Sequence, residues 1–165
     1  MKKIAIIGAG ISGLYIANLF KKSLNYEIII YEKNDTINLE DGYGIQLSVN
    51  SVKLLNEIGF SKLSDNVKFT PEKIDFFSIK DSNKICDLDI TEFNTDDSEY
   101  TTLKRSTLIN FLKHNLDDII KTGFKISKIN DQEKNIKISF ENNETKECDY
   151  LIIADGVFSK SKNLI

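Results

Sequence analysis

Gly8, Gly10 and Gly13 stand in a GxGxxG spacing directly after the apolar run Lys3 to Ile7, and at the head of a helix-patterned stretch. No other feature narrows the possible folds of this chain as far. A short continuous apolar run is the pattern of a strand buried on both faces. Leu14, Tyr15, Ala17, Asn18 and Leu19 then form a helical stripe, and Glu27 to Tyr31 makes a second buried run. Strand, glycine turn, helix and strand within about thirty residues is a βαβ unit, whose crossover makes the two strands parallel. The first glycine allows a tight turn, the second lets a diphosphate reach the backbone, and the third lets helix and strand pack closely. Ile11 and Ser12 begin the helix, where free N–H groups and the positive end of the dipole favour an anion. Glu32, followed by Lys33, ends the second run about twenty residues past the glycines, where a carboxylate accepts from ribose hydroxyls. A plain glycine turn followed by a surface glutamate is the alternative reading. The pattern does not choose between NAD and FAD.

Downstream, the α/β alternation continues with an antiparallel insert. A polar loop from Lys33 to Asp41 precedes Gly42-Tyr43-Gly44 and a strand from Ile45 to Leu47. Ser48 is placed to cap a helix carrying Val52, Leu55 and Ile58 on one face, with Gly59 closing it. Ile74 to Lys80 and Lys84 to Ile90 flank Asp81-Ser82-Asn83 as a hairpin. Thr91 to Glu99 is acidic and reads as a solvated loop. Arg105 to Leu116 is a helix with Leu108, Ile109, Leu112 and Leu116 inward. Ile119 to Lys121, Phe124 to Ile129, Ile136 to Phe140 and Tyr150 to Ala154 are strands, the last running into Asp155-Gly156. The fold class expected is α/β, a Rossmann-like FAD/NAD(P)-binding fold with a parallel sheet and an inserted antiparallel β segment. At 165 residues the chain reads as one domain, residues 1–165, with the insert at about 71–102.

Composition excludes other classes. A net charge of −3 and a pI near 5.3 argue against a surface for nucleic acid or anionic lipid. Lys2 and Lys3 before an apolar run imitate a secretory signal, but three glycines break the run and no cleavage site follows. No apolar stretch is long enough to span a bilayer. Cys86 and Cys148 are too few and too far apart for a disulfide framework or a zinc site, and fit a cytoplasmic protein. They read as half-buried small hydrophobes in strands. His114, the only histidine, lies off the apolar stripe of its helix and reads as solvated, so no triad base is evident.

Three further segments carry a resemblance to a family. Gly42-Tyr43-Gly44-Ile45-Gln46-Leu47-Ser48-Val49-Asn50 resembles the G-x-G-I-x-L-x-x-N run that passes along the flavin in aromatic-ring hydroxylases similar to salicylate and hydroxybenzoate hydroxylases. Tyr100 to Leu108 resembles that family's arginine-led helix, with Arg105 as the arginine. Asp155-Gly156-Val157-Phe158-Ser159-Lys160-Ser161-Lys162 resembles its DGxxSxxR motif, with Lys162 in place of the arginine. Lysine keeps the charge and loses the bidentate fork. The resemblance implies a flavoprotein monooxygenase in which NAD(P)H reduces FAD and dioxygen is used to hydroxylate a small aromatic compound. The cofactor-binding residues it implies are Gly8, Gly10, Ile11, Ser12, Gly13, Glu32, Lys33, Gly44, Ile45, Gln46, Arg105, Ile126, Asp155 and Gly156, with Ile126 at the adenine and no catalytic side chain. Further elements follow the DG motif in the family. The chain is therefore expected to be C-terminally incomplete, inactive as a hydroxylase alone, short of a C-terminal half, and exposing an apolar sheet face. A non-catalytic dinucleotide-binding module and another FAD oxidoreductase of the same fold are the alternatives.

Overall fold

The apolar runs at the two ends of the sequence become neighbours. In a computed structural model describing residues 1–23, 25–37 and 43–164, Lys2–Ile7 (β1) leads into Ile11–Lys21 (α1) and Tyr26–Tyr31 (β2). Then come Gly44–Leu47 (β3), Val49–Asn56 (α2), Lys68–Phe69 (β4), Lys73–Phe77 (β5), Lys84–Asp89 (β6), Thr101–Lys104 (β7) and Arg105–Lys113 (α3). Ile120–Lys121 (β8), Ile126–Asp131 (β9), Ile136–Phe140 (β10), Thr145–Cys148 (β11) and Tyr150–Ile153 (β12) complete the chain. Two compact units result, Met1–Glu40 with Ile109–Ile165, and Asp41–Leu108.

The first unit is built on a parallel sheet of order β12-β1-β2-β8. The pairing is in register from Ile4 with Tyr150 to Ile7 with Ile153, and from Lys2 with Tyr26 to Ile7 with Tyr31. Both faces of β1 are covered, which is why its sequence lacks alternation. Ile4 and Ile6 are buried on one face, where Ile6 reaches Gly13 of α1. Ala5 and Ile7 join Tyr31, Ile138, Phe140 and Cys148 on the other. That second layer is the antiparallel sheet of order β11-β10-β9. Tyr31, Phe124 and Phe140 meet there with ring centroids 4.8–5.2 Å apart, a spacing at which tilted rings attract. At the far end Asp149 accepts from the Lys2 ammonium at 2.6 Å and the Lys3 amide at 2.7 Å, tying β12 to the start of β1. The Lys2 hydrogen bond holds the Asp149 carboxyl below the usual carboxylate range.

The second unit pairs β3 antiparallel with β7, and β7 with β4. Its β5–β6 hairpin, in register from Lys73 with Asp89 to Phe76 with Cys86, is amphipathic. Phe76 and Leu88 are about half exposed on one face, and Lys84 bridges Asp75 and Asp87 on the other.

The parallel sheet and the antiparallel β structure of the expected fold class are both present, and the fold is Rossmann-like. Local differences have clear causes. The helix expected to Leu116 stops at Lys113, because Asn115 adopts a left-handed φ of 66°, which asparagine tolerates. β11 was absent from the expectation, since Thr145–Cys148 holds two charged residues and buries only Cys148. Cys86 is exposed in β6 and Cys148 buried in β11, so neither is half-buried. The Thr91–Glu99 loop is tied down: Asn56 donates to the Asp97 carbonyl at 2.7 Å, Asn94 accepts from the Tyr100 amide, and Ser98 is buried. Gly42 and the end of the polar loop before it lie outside the described residues.

Burial pushes the Tyr31 phenol up to about 12 from 10.0, so the fold favours its neutral form. That contribution is complete below pH 10 and is lost as pH rises from there toward 12. Alkaline unfolding of the wild type, followed by circular dichroism, should show this loss, and Tyr31→Phe should lack it. Phe140→Ala should cost about 3–5 kcal/mol in urea unfolding, because its ring is buried against two others.

Candidate nucleotide site

The C-terminal ends of β1, β2, β8 and β12 converge on one side of the parallel sheet, where open α/β sheets take ligands. The Gly8 amide donates to the Tyr31 carbonyl at 2.8 Å, and the Ala154 amide to the Ile7 carbonyl at 2.8 Å. The Glu32 amide donates to the Lys121 carbonyl at 2.8 Å. These bonds carry the sheet ladder into the turns and hold the turns together.

Each glycine of the fingerprint has a different reason to be there. At Gly8, φ is +104° and a Cβ would lie 2.5 Å from the Ala154 carbonyl oxygen, so both conformation and space require glycine. At Gly13 a Cβ would stand 2.0 Å from the Gly8 carbonyl oxygen, which fixes the close packing of α1 on the turn. Gly10 differs, with nothing within 4 Å of its would-be Cβ and an extended backbone at φ −84°. The fold does not need glycine at this position; the open space is a place where a bound group can come against the backbone. Gly10 is the N-cap of α1 with no side-chain cap, and the first turn holds no acidic residue. The amides of Ile11 and Ser12 therefore begin a helix whose positive end is left uncompensated by the chain.

Glu32 closes the turn from the side. Its carboxylate accepts from the Ala9 amide at 2.9 Å and the Asn34 amide at 3.1 Å, one bond on each oxygen. Each oxygen keeps a further lone pair, so two hydroxyls can still be accepted. Asp155 follows β12. Its Oδ2 accepts from the Ser161 hydroxyl at 2.8 Å and the Ser161 amide at 3.3 Å. Burial raises this carboxyl, but the hydroxyls of Ser159 and Ser161 outweigh it and hold the group below the usual range. Its Oδ1 is buried with no partner among the described residues, an acceptor left for a donor from outside the chain.

These groups share a cavity of about 480 Å³. Gly8, Glu32, Lys33, Ile126 and Asp155 line it, from four separate stretches of sequence. Gly10, Ile11, Ser12, Gly13 and Gly156 do not line it, although the first four form the turn and helix start that Gly8 enters. Gly44, Ile45, Gln46 and Arg105 lie in the second unit. There Gly44 pairs with Lys104, Ile45 with Leu103 and Gln46 with Thr102, so the second and third motifs are strand partners. Gln46 accepts from the Tyr100 hydroxyl at 3.3 Å, and the Arg105 amide, opening α3, donates to the Tyr43 carbonyl. Phe124, Lys125, Ser127, Glu141, Phe158 and Lys160 also line the cavity and were not expected there. Lys125 and Glu141 are joined at 2.8 Å and 3.0 Å across β9 and β10. Only Phe158 and Lys160 lay inside a quoted motif; the others depend on a strand pairing that no local pattern specifies. His114 is exposed.

The space requirements separate two glycines by experiment. Gly13→Ala should lose about 3 kcal/mol in chemical denaturation, because backbone must move. Gly10→Ala should stay within about 1 kcal/mol of wild type.

Residues 6–39 match a family model described as an NAD(P)-binding Rossmann-like domain. The chain is 28% identical to the FAD-dependent monooxygenase anuJ of Penicillium roqueforti, over 98% of its own length and 21% of that protein's. It is 23% identical to the FAD-dependent monooxygenase dpasE of Apiospora sacchari, over 96% and 34%. The chain thus spans about a fifth to a third of the curated relatives' length. In fold it is similar to 2,6-dihydroxypyridine-3-hydroxylase from Arthrobacter nicotinovorans, with a TM-score of 0.80, 17% identity, and coverage of 98% and 39%. It is also similar to Klebsiella pneumoniae HpxO complexed with FAD and uric acid, with a TM-score of 0.78, 20% identity, and coverage of 94% and 39%. No helix among the described residues is long and apolar enough to cross a membrane. By sequence and by fold the chain aligns with the FAD-dependent, hydroxylase-like monooxygenases, the family its motifs resemble, over about two fifths of such a structure.

Proposed function

We propose that this chain is the FAD-binding part of an NAD(P)H-dependent monooxygenase that hydroxylates a small aromatic compound. The observation that carries the reading is the open space at Gly10 beside an uncapped helix start, within one unit that also presents the Glu32 carboxylate. A Cβ would occupy the place where a diphosphate comes closest to the backbone. In this reading Glu32 accepts from the ribose hydroxyls with its remaining lone pairs while its bonds to the Ala9 and Asn34 amides hold the turn. The α1 amides receive the diphosphate, and the Ile126 backbone borders the adenine. Asp155 Oδ1 takes a hydrogen-bond donor from the ligand. Gly44, Ile45, Gln46 and Arg105, all in the second unit, are the flavin-side residues that the family resemblance implies. The flavin, when bound, supplies the redox and oxygen chemistry, and protein groups bind it, orient it and exclude water.

The substrate class and the use of NAD(P)H come from the family resemblance, supported by relatives that are FAD-dependent monooxygenases. Relatives extend well beyond the aligned part, so hydroxylation belongs to a protein with that further length, and this chain alone is expected to bind rather than turn over.

Purified chain titrated with FAD and followed by flavin fluorescence should show saturable binding. Glu32→Gln, which keeps the size of the side chain and removes its charge, should weaken binding about tenfold. Gly10→Ala should weaken it further while unfolding normally. A folded wild type without affinity for FAD would remove the reading.

A further inference from the structure

The loop after β12 carries two lysines, and the structure separates them. Lys160 lies on the cavity wall and Lys162 does not, although Lys162 holds the place of the family's arginine in the DG motif. We propose that Lys160, not Lys162, is the cation that neutralises the diphosphate of the bound dinucleotide, and that Asp155 places it through Ser161. This rests on the reading of the cavity as an FAD site.

Charge and geometry both lead to Lys160. Three carboxylates, Glu32, Asp155 and Glu141, face three lysines, Lys33, Lys125 and Lys160, around the cavity. Lys125 is already paired with Glu141 at 2.8 Å. Lys33 follows directly on Glu32, the carboxylate of the ribose end. Lys160 makes no ion pair among the described residues; Asp155 accepts on Oδ2 from the Ser161 hydroxyl and amide, and its Oδ1 has no partner among them. The loop also leaves the sheet at the right place. The Ala154 carbonyl oxygen and Asp155 Cα would lie 2.5 Å and 3.0 Å from a Cβ on Gly8, so the loop starts against the glycine turn itself. A dianionic group brought to that turn meets the ionised Asp155 nearby, and a free cation is needed to offset it.

Ser161 is fully buried, and its hydroxyl and amide both donate to Asp155 Oδ2, which fixes the backbone between Lys160 and Lys162. Both lysines are exposed, and the Lys162 amide donates to the Ser159 hydroxyl at 3.3 Å within the loop; what separates them is that Lys160 lines the cavity and Lys162 does not. Asp155 and Ser161 are thus positioning residues, and Lys160 makes the contact.

The test is isothermal titration of the chain with ADP and, separately, with adenosine, which has the same base and sugar without the diphosphate. Lys160→Gln should weaken ADP about fivefold and leave adenosine unchanged. The difference from wild type should shrink as salt rises to about 0.5 M. Lys162→Gln should bind both ligands as wild type does, and Lys160→Arg should retain ADP affinity. Ser161→Ala should lose ADP affinity alone and add little to Lys160→Gln in the double variant, since the two act as one unit; circular dichroism checks that each variant is folded. Loss of ADP affinity in Lys162→Gln, or equal loss for adenosine and ADP in Lys160→Gln, overturns the assignment. A wild type that binds ADP and FAD but is indifferent to Lys160→Gln overturns it alone, whereas one that binds neither removes the FAD reading as well.

Discussion

The approach of α1 to the end of β1 governs the first unit. Gly13 comes so near the Gly8 carbonyl that no side chain fits between them, and Gly8 is pressed in turn against the Ala154 carbonyl. Three segments, from β1, α1 and β12, are thereby locked at one point. With α1 seated this closely, Ile6 is covered from one side while Ala5 and Ile7 are covered by the β9–β11 sheet from the other. A strand with both faces buried has to be apolar throughout, and Lys3 to Ile7 is.

The same lock shapes the chemistry. It brings a helix start without a side-chain cap to the sheet end where Glu32 and Asp155 also arrive. Both carboxylates serve the structure as well as any ligand: Glu32 holds the Ala9 and Asn34 amides, and Asp155 holds the loop that carries Lys160. Removing either charge therefore changes shape as well as electrostatics, so Lys160, whose side chain makes no ion pair among the described residues, and Gly10, which has no side chain, are the cleaner probes of binding.

Two of the four sequence motifs meet in each unit. The glycine fingerprint and the DG motif touch in the first, and the GYG run and the arginine-led stretch are strand partners in the second. Nothing local announces these pairings, because parallel neighbours such as β1 and β12 are separated by most of the chain. Patterns with strong local causes were readable: the GxGxxG turn, the apolar runs of β1, β2 and β12 (though none of β12 is fully buried), the β5–β6 hairpin, and Glu32 at a strand end. β11 was not, since its two charged residues and single buried cysteine carry no alternation. With it went the third strand of the second layer; β9 and β10 were readable as strands, but nothing local showed that Phe124, Lys125, Ser127 and Glu141 reach the cavity wall.

The amino-acid sequence by itself determined the βαβ start, the need for glycine at positions 8 and 13, and the carboxylate at position 32. These are set by backbone geometry or burial within some thirty residues, although at Gly8 the space is also closed by the distant Ala154 carbonyl. Only the tertiary structure decided which side chains share the cavity, that Gly10 is spared by the fold, and that Lys160 rather than Lys162 faces the site. The last of these depends on where the loop after β12 is anchored. That anchor is a hydrogen bond from Ser161 to Asp155, whose geometry no residue spacing encodes.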